Sequence, residues 1–368
     1  MAFKLISIRL FFANSLIFFG IFLSLSCTKE PQDEISILWE DERALGLILP
    51  SGLVENPEQA YFTIHLSGNS DNPPILGDLI QSESGFLFTP LIPLTRGQTY
   101  EVRYEGASIG QISIPQLSEE GAKLEVMEIY PTQNLLPENL LKFFVKFSKP
   151  MREGKSSTNV FLLDSNKDTL EGAFLDLQPE LWNEDQTLLT LWLDPGRIKR
   201  DLIPNLEMGA PLTKGESYNL VISARWKGKN GGELGQSFSK KFTASARDSI
   251  SPEPDSWVMD IPKADTNAAL TLDFLEALDF SLLTNVFTIK NAAGRAIQGN
   301  WKIGIEEKSI QFIPKDPWSR GQYVIEIESR LEDLAGNNLN RLFETDLLNR
   351  SESDLPSDIK RLEFEIKD

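Results

Sequence analysis

The side chains able to do chemistry are few, and their spacing narrows the options further. Among 368 residues there is one histidine, His65, and one cysteine, Cys27. His65 lies in Tyr61-Phe62-Thr63-Ile64-His65-Leu66, an alternating run that reads as a β-strand. A lone strand histidine is expected at the surface rather than in a catalytic role. Any Ser-His-Asp or Cys-His relay would have to use that single imidazole, and a His-rich zinc site is excluded. No paired-carboxylate motif stands out, so no catalytic residue, cofactor or metal site is assigned.

Two sets of oxygens and one aromatic ring still call for attention. Asp164-Ser165-Asn166-Lys167-Asp168 begins like a calcium-binding EF-hand loop. Its sixth position is Thr169 rather than Gly and its twelfth is Leu175 rather than Glu, so the motif fails and a hairpin turn explains it better. Asp333 and Asn337 could offer oxygens to a cation where two units meet. An Asp-capped turn, with Gly336 and Asn337 at permissive backbone angles, carries more weight. Aromatic faces can stack on pyranose rings, and Trp182, within Pro179-Glu180-Leu181-Trp182-Asn183-Glu184-Asp185, is the best exposed candidate for ligand contact, in a polar loop. Trp192, Trp226 and Trp301 lie in β-like runs and are expected in cores.

Cys27 closes Leu23-Ser24-Leu25-Ser26-Cys27, behind the basic residues Lys4 and Arg9 and an apolar stretch from Leu10 to Leu23. A charged start, an apolar middle and small residues before a cut make a secretory signal. The apolar stretch is short for a span of about 20 residues. The small residues and cysteine resemble a bacterial lipobox, with Ser24 where leucine usually stands. The resemblance implies cleavage after residue 26 and a lipid on Cys27, which anchors the chain in a membrane. Thr28, rather than Asp, argues against inner-membrane retention and for the outer membrane. Lys29-Glu30-Pro31-Gln32-Asp33-Glu34 resembles the charged tether of surface-exposed lipoproteins in Bacteroidetes-type bacteria.

Composition sets further bounds. The net charge is −18, and removing residues 1–26 takes away Lys4 and Arg9 but no acid, so the mature chain is more acidic still. Nucleic acid is excluded as a partner, because binding phosphate takes clustered Lys and Arg. The basic run Arg197-Ile198-Lys199-Arg200 is unusual in this background and reads as a solvated loop, with contact to a neighbouring unit or partner as the alternative. With one cysteine there is no internal disulfide, so each core must be held by packing.

The elements that would position these residues show up as repeats. Leu94-Thr95-Arg96-Gly97-Gln98-Thr99-Tyr100, Leu212-Thr213-Lys214-Gly215-Glu216-Ser217-Tyr218 and Trp318-Ser319-Arg320-Gly321-Gln322-Tyr323 share one string: apolar, hydroxyl, basic, Gly, then Tyr opening an alternating run. Gly suits a chain reversal, and Tyr packs its ring inward while its hydroxyl reaches a polar rim. Asn159-Val160-Phe161-Leu162-Leu163 also matches Asn285-Val286-Phe287-Thr288-Ile289. The middle copy is the longer, with an insertion placed at 194–209. Short strand-like runs punctuated by Gly, Pro, Asn and Asp predict an all-β protein of tandem sandwiches.

Ile129-Tyr130-Pro131, Leu136-Pro137-Glu138-Asn139 and Phe147-Ser148-Lys149-Pro150-Met151 together resemble the opening of the SbsA-type bacterial Ig-like domain. The later half of that family's pattern, Gly-x-x-Tyr and then Asp-x-x-Gly-Asn, resembles Gly321 to Asn337. The third unit departs from the pattern, with Phe274-Leu275-Glu276-Ala277-Leu278 in place of Phe-Ser-x-Pro-Met. The resemblance implies Ig-like sandwiches in an extracytoplasmic setting and no reaction. The expected organisation is a signal peptide at 1–26, a lipid-anchored tether at 27–36 and a degenerate Ig-like sandwich at 37–118. An SbsA-type domain at 121–246, an Ig-like domain at 252–347, and a linker with a terminal strand at 348–368 complete it. In that strand Leu362, Phe364 and Ile366 alternate with charged residues over 361–367. The expected role is a non-enzymatic spacer or recognition module meeting an envelope protein or polysaccharide. The alternative is a carbohydrate-binding lipoprotein that partners an outer-membrane uptake system.

The anchor is directly testable. Cys27→Ala is expected to abolish labelling by a radioactive fatty acid and to move the protein out of the membrane fraction; undiminished labelling would refute acylation at this residue.

Overall fold

Alternating runs become strands whose inward side chains close three separate cores. The computed structural model describes residues 34–40, 42–53, 61–69, 72–82, 85–118, 123–344 and 358–368. The leader, Cys27, most of the tether and the 348–357 linker lie outside those residues. No helix among the described residues is long and apolar enough to cross a membrane. Contacts divide the chain into two compact units, the first sandwich in one and the second and third together in the other.

The first sandwich contains β1 (Ser36–Glu40), β2 (Arg43–Pro50), β3 (Phe62–Leu66), β4 (Gly77–Ser82), β5 (Gly85–Pro90), β6 (Thr99–Tyr104) and β7 (Ala107–Ser113). Sheets of order β1-β2-β5-β4 and β3-β6-β7 face each other. Leu47, Leu49, Phe86 and Phe88 of one meet Ile64, Tyr100 and Val102 of the other in a single core.

The second sandwich contains β8 (Val126–Tyr130), β9 (Leu135–Pro137), β10 (Lys142–Phe147), the single-turn helix α1 (Ser156–Asn159), β11 (Val160–Leu163), β12 (Leu181–Trp182) and β13 (Leu188–Trp192). The short helices α2 (Pro195–Ile198) and α3 (Ile203–Met208) precede β14 (Ser217–Ile222) and β15 (Phe238–Ser245). Its sheets run β12-β13-β10-β8 and β11-β14-β15-β9. The β9–β15 pairing is parallel, with Leu135 opposite Thr243. The third sandwich contains β16 (Val258–Asp260), β17 (Leu270–Asp273), β18 (Phe287–Asn291), β19 (Gly299–Ile303), β20 (Ser309–Pro314), β21 (Gly321–Glu328) and β22 (Ile359–Ile366), in sheets β16-β17-β20-β19 and β18-β21-β22.

The repeated turn has one structural job in all three sandwiches. Its apolar residue, Leu94, Leu212 or Trp318, is buried, as is its tyrosine. The Tyr100 hydroxyl accepts from the Thr95 N–H at 2.8 Å, and Tyr218 accepts from Thr213 at 2.8 Å. Each tyrosine thus clasps the turn that precedes its own strand. Gly97 and Gly215 take positive φ, 75° and 89°, a region where a Cβ is penalised. The third copy has one residue fewer between Gly and Tyr. Gly321 there opens β21 itself, and the Tyr323 hydroxyl donates to the Ser319 carbonyl at 2.9 Å. A second correspondence joins the last two sandwiches. Met151 and Leu278, each four residues past a buried phenylalanine (Phe147, Phe274), are 0% exposed and bridge to Gly228 and Asp333.

Two expectations are corrected. His65 is only 8% exposed, because the segment around Pro74 bridges back across β3 and covers the imidazole. Its Nδ1 lies 2.8 Å from the Asn72 carbonyl and its Nε2 3.0 Å from Thr63 Oγ1. Nor is the basic insertion a solvated loop. Arg197 is 7% exposed and donates to the carbonyls of Glu171, Gly172, Met208 and Gly209, which satisfy the buried guanidinium and tie α2 and α3 together. Lys199 lies 4.3 Å over the Phe343 ring and Arg200 pairs with Glu344, so the insertion also contacts the third sandwich's chain. The Asp164 loop is a hairpin turn, with Asp164 Oδ1 accepting from the N–H groups of Asn166 and Asp168 at 2.9 Å.

The chain end completes the third core. β22 runs antiparallel to β21, with Phe364 opposite Tyr323 and Leu362 opposite Ile325. Leu362, Phe364 and Ile366 are buried, and Phe364 stacks on Tyr323 at 5.4 Å. Each such side chain contributes about 1.5–3 kcal/mol before ordering costs. Truncation after Asp358 is therefore expected to abolish or sharply lower the thermal transition of the third sandwich, measured by calorimetry on the chain. An unchanged transition would show β22 to be dispensable.

Candidate functional site

The polar groups that the cores cannot absorb gather where the second and third sandwiches meet. Lys142 opens β10, and its Nζ lies 3.0 Å from Asp279 Oδ2 and 2.7 Å from Glu332 Oε2, both from the third sandwich. The same ammonium sits 4.8 Å over the Trp192 ring. Burial pulls the Lys142 pKa down, but the two carboxylates outweigh it and hold the lysine protonated above its ordinary range.

A second tie joins the same two sandwiches. Glu307, 1% exposed, accepts from the Thr132 N–H at 2.8 Å and from the Thr132 hydroxyl at 2.9 Å. Lys240 donates to the Thr132 carbonyl at 2.8 Å. Burial raises the Glu307 carboxyl, against the bonds from Thr132 and the charge of Lys240. Glu306 and Glu307 both adopt left-handed backbone angles, with φ of 56° and 55°. Such angles are costly for side chains of this size and persist where surrounding contacts over-determine them. Phe280 stacks on Tyr130 with centroids 3.6 Å apart. Leu141 donates its N–H to the Leu334 carbonyl at 2.9 Å, and Ala277 and Leu334 join the core of the second sandwich.

The linker is clamped from both sides. Asn139, 3% exposed, donates to the Asp248 carbonyl and accepts the Asp248 N–H, both at 2.8 Å. Asn337, 2% exposed, reaches the Ile250 carbonyl at 3.4 Å. Asp333 caps its turn as the sequence suggests, its Oδ1 accepting from Ala335 and Asn337 N–H groups. Gly336 has φ of 80°, and a Cβ there would clash with a Leu141 methyl, so glycine also allows the close approach of the sandwiches.

Asp248, Glu276 and Asp333 bring one oxygen each within 4.8 Å of one another. Among the described residues this is the one acidic group with metal-ligand spacing. Asp333 was legible as a polar turn residue, but Asp248 and Glu276 were not, because nothing local marks them. Burial lifts the Asp333 carboxyl to about 7, with the Asp248 charge adding to it and bonds from Asn337 opposing. Burial likewise lifts Glu276 to about 7, with Asp248 and Glu253 contributing.

Trp182 sits in an edge strand, β12, rather than a loop, paired with Leu189 of β13. Its ring meets Phe147 and Trp226, each at 5.8 Å, and its indole N–H donates to Glu180 at 2.8 Å. Half-buried, it lines a cleft of about 510 Å³ between the second and third sandwiches, shared with Phe280, Ser281, Thr284 and Asn285. Trp226 is buried as expected, and Trp192 and Trp301 are half-buried against the second and third cores. Cys27 lies outside the described residues.

No family model and no curated protein matches the chain. Solved structures similar to it are distant. The N-terminal part of the bacterial S-layer protein SbsC is 17% identical with a TM-score of 0.22, over 55% of this chain and 40% of that one. The chain thus spans 40% of the length of that solved N-terminal part. Native alpha-2-macroglobulin from Escherichia coli, over domains MG0-NIE-MG1, is 10% identical with a TM-score of 0.23, over 57% and 68% of the two chains. Domains FN1-FN3 of chicken CNTN1 are 11% identical with a TM-score of 0.20, over 91% and 98%. The chain is an all-β protein of tandem Ig-like sandwiches, as its own strand order and cores define them.

The two raised carboxyls give the junction a pH dependence of known sign. Unfolded, Asp333 and Glu276 titrate near 3.8 and 4.5, and folded they hold their protons to about 7. Between those values the folded state binds more protons, so stability falls as pH rises and levels off above the folded values. The melting temperature of the second and third sandwiches is expected to drop by roughly 5 °C from pH 5 to pH 8. Asp333→Asn is expected to flatten that slope, and a flat profile in the unaltered chain would contradict it.

Proposed function

We propose that the chain is a lipid-anchored bacterial surface protein of the outer membrane, without enzymatic activity. In this reading its tandem sandwiches act as a spacer that holds a recognition surface away from the membrane. The second and third sandwiches are SbsA-type Ig-like modules, a reading supported by the shared Phe-to-Met151 and Phe-to-Leu278 spacing and the shared tyrosine clasp. Cys27 supplies the anchor, and the partner is an envelope protein or polysaccharide rather than nucleic acid.

The observation that carries this reading is the junction of the second and third sandwiches. A buried ion pair, a buried carboxyl bonded to Thr132, an aromatic stack and a clamped linker are more than two freely hinged beads would use. Interfaces between domains of one chain usually permit relative motion unless they are well packed. A stiff pair transmits position, which is what a spacer or presenting arm has to do. A second reading, a carbohydrate-binding lipoprotein, rests on the cleft between the second and third sandwiches, lined by Leu181, Thr190, Ser281, Thr284 and Asn285.

Exposure on the cell is the decisive property. Brief protease treatment of intact cells is expected to degrade the chain while a periplasmic marker survives. Full protection in intact cells, with degradation only after the outer membrane is opened, would refute surface display.

A further inference from the structure

An amine and a carboxyl are held in contact at the junction, and each is surrounded by what a condensation needs. Lys142 Nζ lies 3.0 Å from Asp279 Oδ2, and the two side chains belong to different sandwiches. Asp279 is buried and Lys142 mostly so, and the Trp192 ring covers the nitrogen from 4.8 Å. Groups fixed in reacting position reach effective molarities of about 10⁵–10⁸ M. Exclusion of water also protects an amide formed there from hydrolysis.

The two oxygens of Asp279 have different surroundings. Oδ1 accepts from the Ser281 N–H at 2.9 Å and from the Ser281 hydroxyl at 2.6 Å, whereas Oδ2 faces the lysine. The two donors cap the turn that follows Asp279, and they also stand where a tetrahedral intermediate places its negative charge. They polarise Cγ toward attack and leave Oδ2 as the departing oxygen. Glu332 is placed to move the protons. Its Oε2 lies 2.7 Å from Lys142 Nζ, and the Asp279 N–H donates to the Glu332 carbonyl at 2.8 Å, which sets the two residues side by side. No donor among the described residues holds the other Glu332 oxygen, so Asp279 is the carboxyl prepared for attack.

Charge is the obstacle, since the two carboxylates hold the lysine protonated. The proton does not have to leave for solvent, however. Moving it from Nζ to Oδ2 turns ammonium and carboxylate into amine and carboxylic acid with no change in net charge. Burial penalises the charged pair more than the neutral one and narrows the gap between them.

We propose that Lys142 and Asp279 condense to an amide that cross-links the second and third sandwiches, with Glu332 as general base and then acid. The amine attacks Cγ, the Nζ–Cγ bond forms, and Oδ1 carries the negative charge against Ser281. Glu332 takes a proton from the nitrogen and returns it to the Oδ2 hydroxyl, the Cγ–Oδ2 bond breaks, and one water leaves. Of the three ammonium protons, one stays on the amide nitrogen and two depart with Oδ2, so no further reagent is consumed. The ion pair is the reactant state, and the arrangement it aligns becomes permanent once the bond forms. A chain with no disulfide thereby gains a covalent tie across its junction, wherever the chain resides.

Mass spectrometry on the chain from Thr28 to Asp368, intact and after trypsin, tests the cross-link. The intact chain is expected to be one water lighter than its sequence, with the peptide that carries Lys142 joined to the one that carries Asp279. Lys142→Arg keeps a cation between the two carboxylates but removes the amine, so its mass is expected to equal that of its sequence. Glu332→Gln keeps the side-chain shape and is expected to slow condensation by about a hundredfold or more, read as uncondensed chain in freshly made protein. An unaltered chain whose mass equals that of its sequence overturns the proposal, whether or not any variant folds. A water loss that persists in Lys142→Arg, or that is as fast in Glu332→Gln, overturns it as well.

Discussion

A buried ammonium sets the geometry of the larger unit. Lys142 Nζ lies between Asp279 and Glu332 with 12% of its side chain exposed, and Asp279 with 4%. Removing one partner of such a buried pair leaves an uncompensated charge at a cost of about 3–5 kcal/mol, even where the intact pair adds little net stability. The contact therefore specifies an arrangement more than it strengthens one. With Lys142 paired to Asp279 and Glu332, and Glu307 bonded to Thr132, few relative orientations of the two sandwiches keep both sets of buried polar groups partnered. The Tyr130–Phe280 stack and the Leu141–Leu334 hydrogen bond join the same two sandwiches.

Stability without disulfides follows a related logic. There are three cores, the second taking in Ala277 and Leu334 of the third sandwich, and in each sandwich a tyrosine hydroxyl is tied to its own preceding turn. In the third sandwich the chain returns after residues 345–357 to lay β22 against β21, which places Leu362, Phe364 and Ile366 under the opposing sheet. Pairing also covers an edge that would otherwise offer unpaired backbone groups to another chain. The same return carries the chain past Phe343 and Glu344, where Lys199, Arg200 and Arg247 meet it. The insertion is thereby tied to the junction from outside.

The junction and the cleft are one construction. Phe280 stacks on Tyr130, and Ser281, Thr284 and Asn285 after it line the cleft across from Leu181 and Thr190. The three carboxyls of Asp248, Glu276 and Asp333 lie in the same junction, where desolvation keeps two of them protonated to about 7. Acidic conditions therefore favour the assembled pair, and alkaline conditions load it with buried negative charge.

Local periodicity carried the strands and turns. The tyrosine string, the Asp164 and Asp333 turns and the alternation over 361–367 could be read because each depends on neighbours only a few residues away. The burial of Trp226 was legible for the same reason. The partners of charged side chains were not. Thr132 and Glu307 are 175 residues apart, and Lys142 and Glu332 are 190 apart. Alternation tells which face of a strand points inward, but not which distant element covers the rest of it. His65 and Arg197 looked exposed by type and became buried because a loop or a ring of carbonyls closed over them. Trp182 looked like a loop residue because the short strand it forms is defined only by β13 beside it. Side-chain order along the chain was sufficient for three sandwiches; where two of them touch was settled by desolvated charges finding partners, which no single stretch of sequence contains.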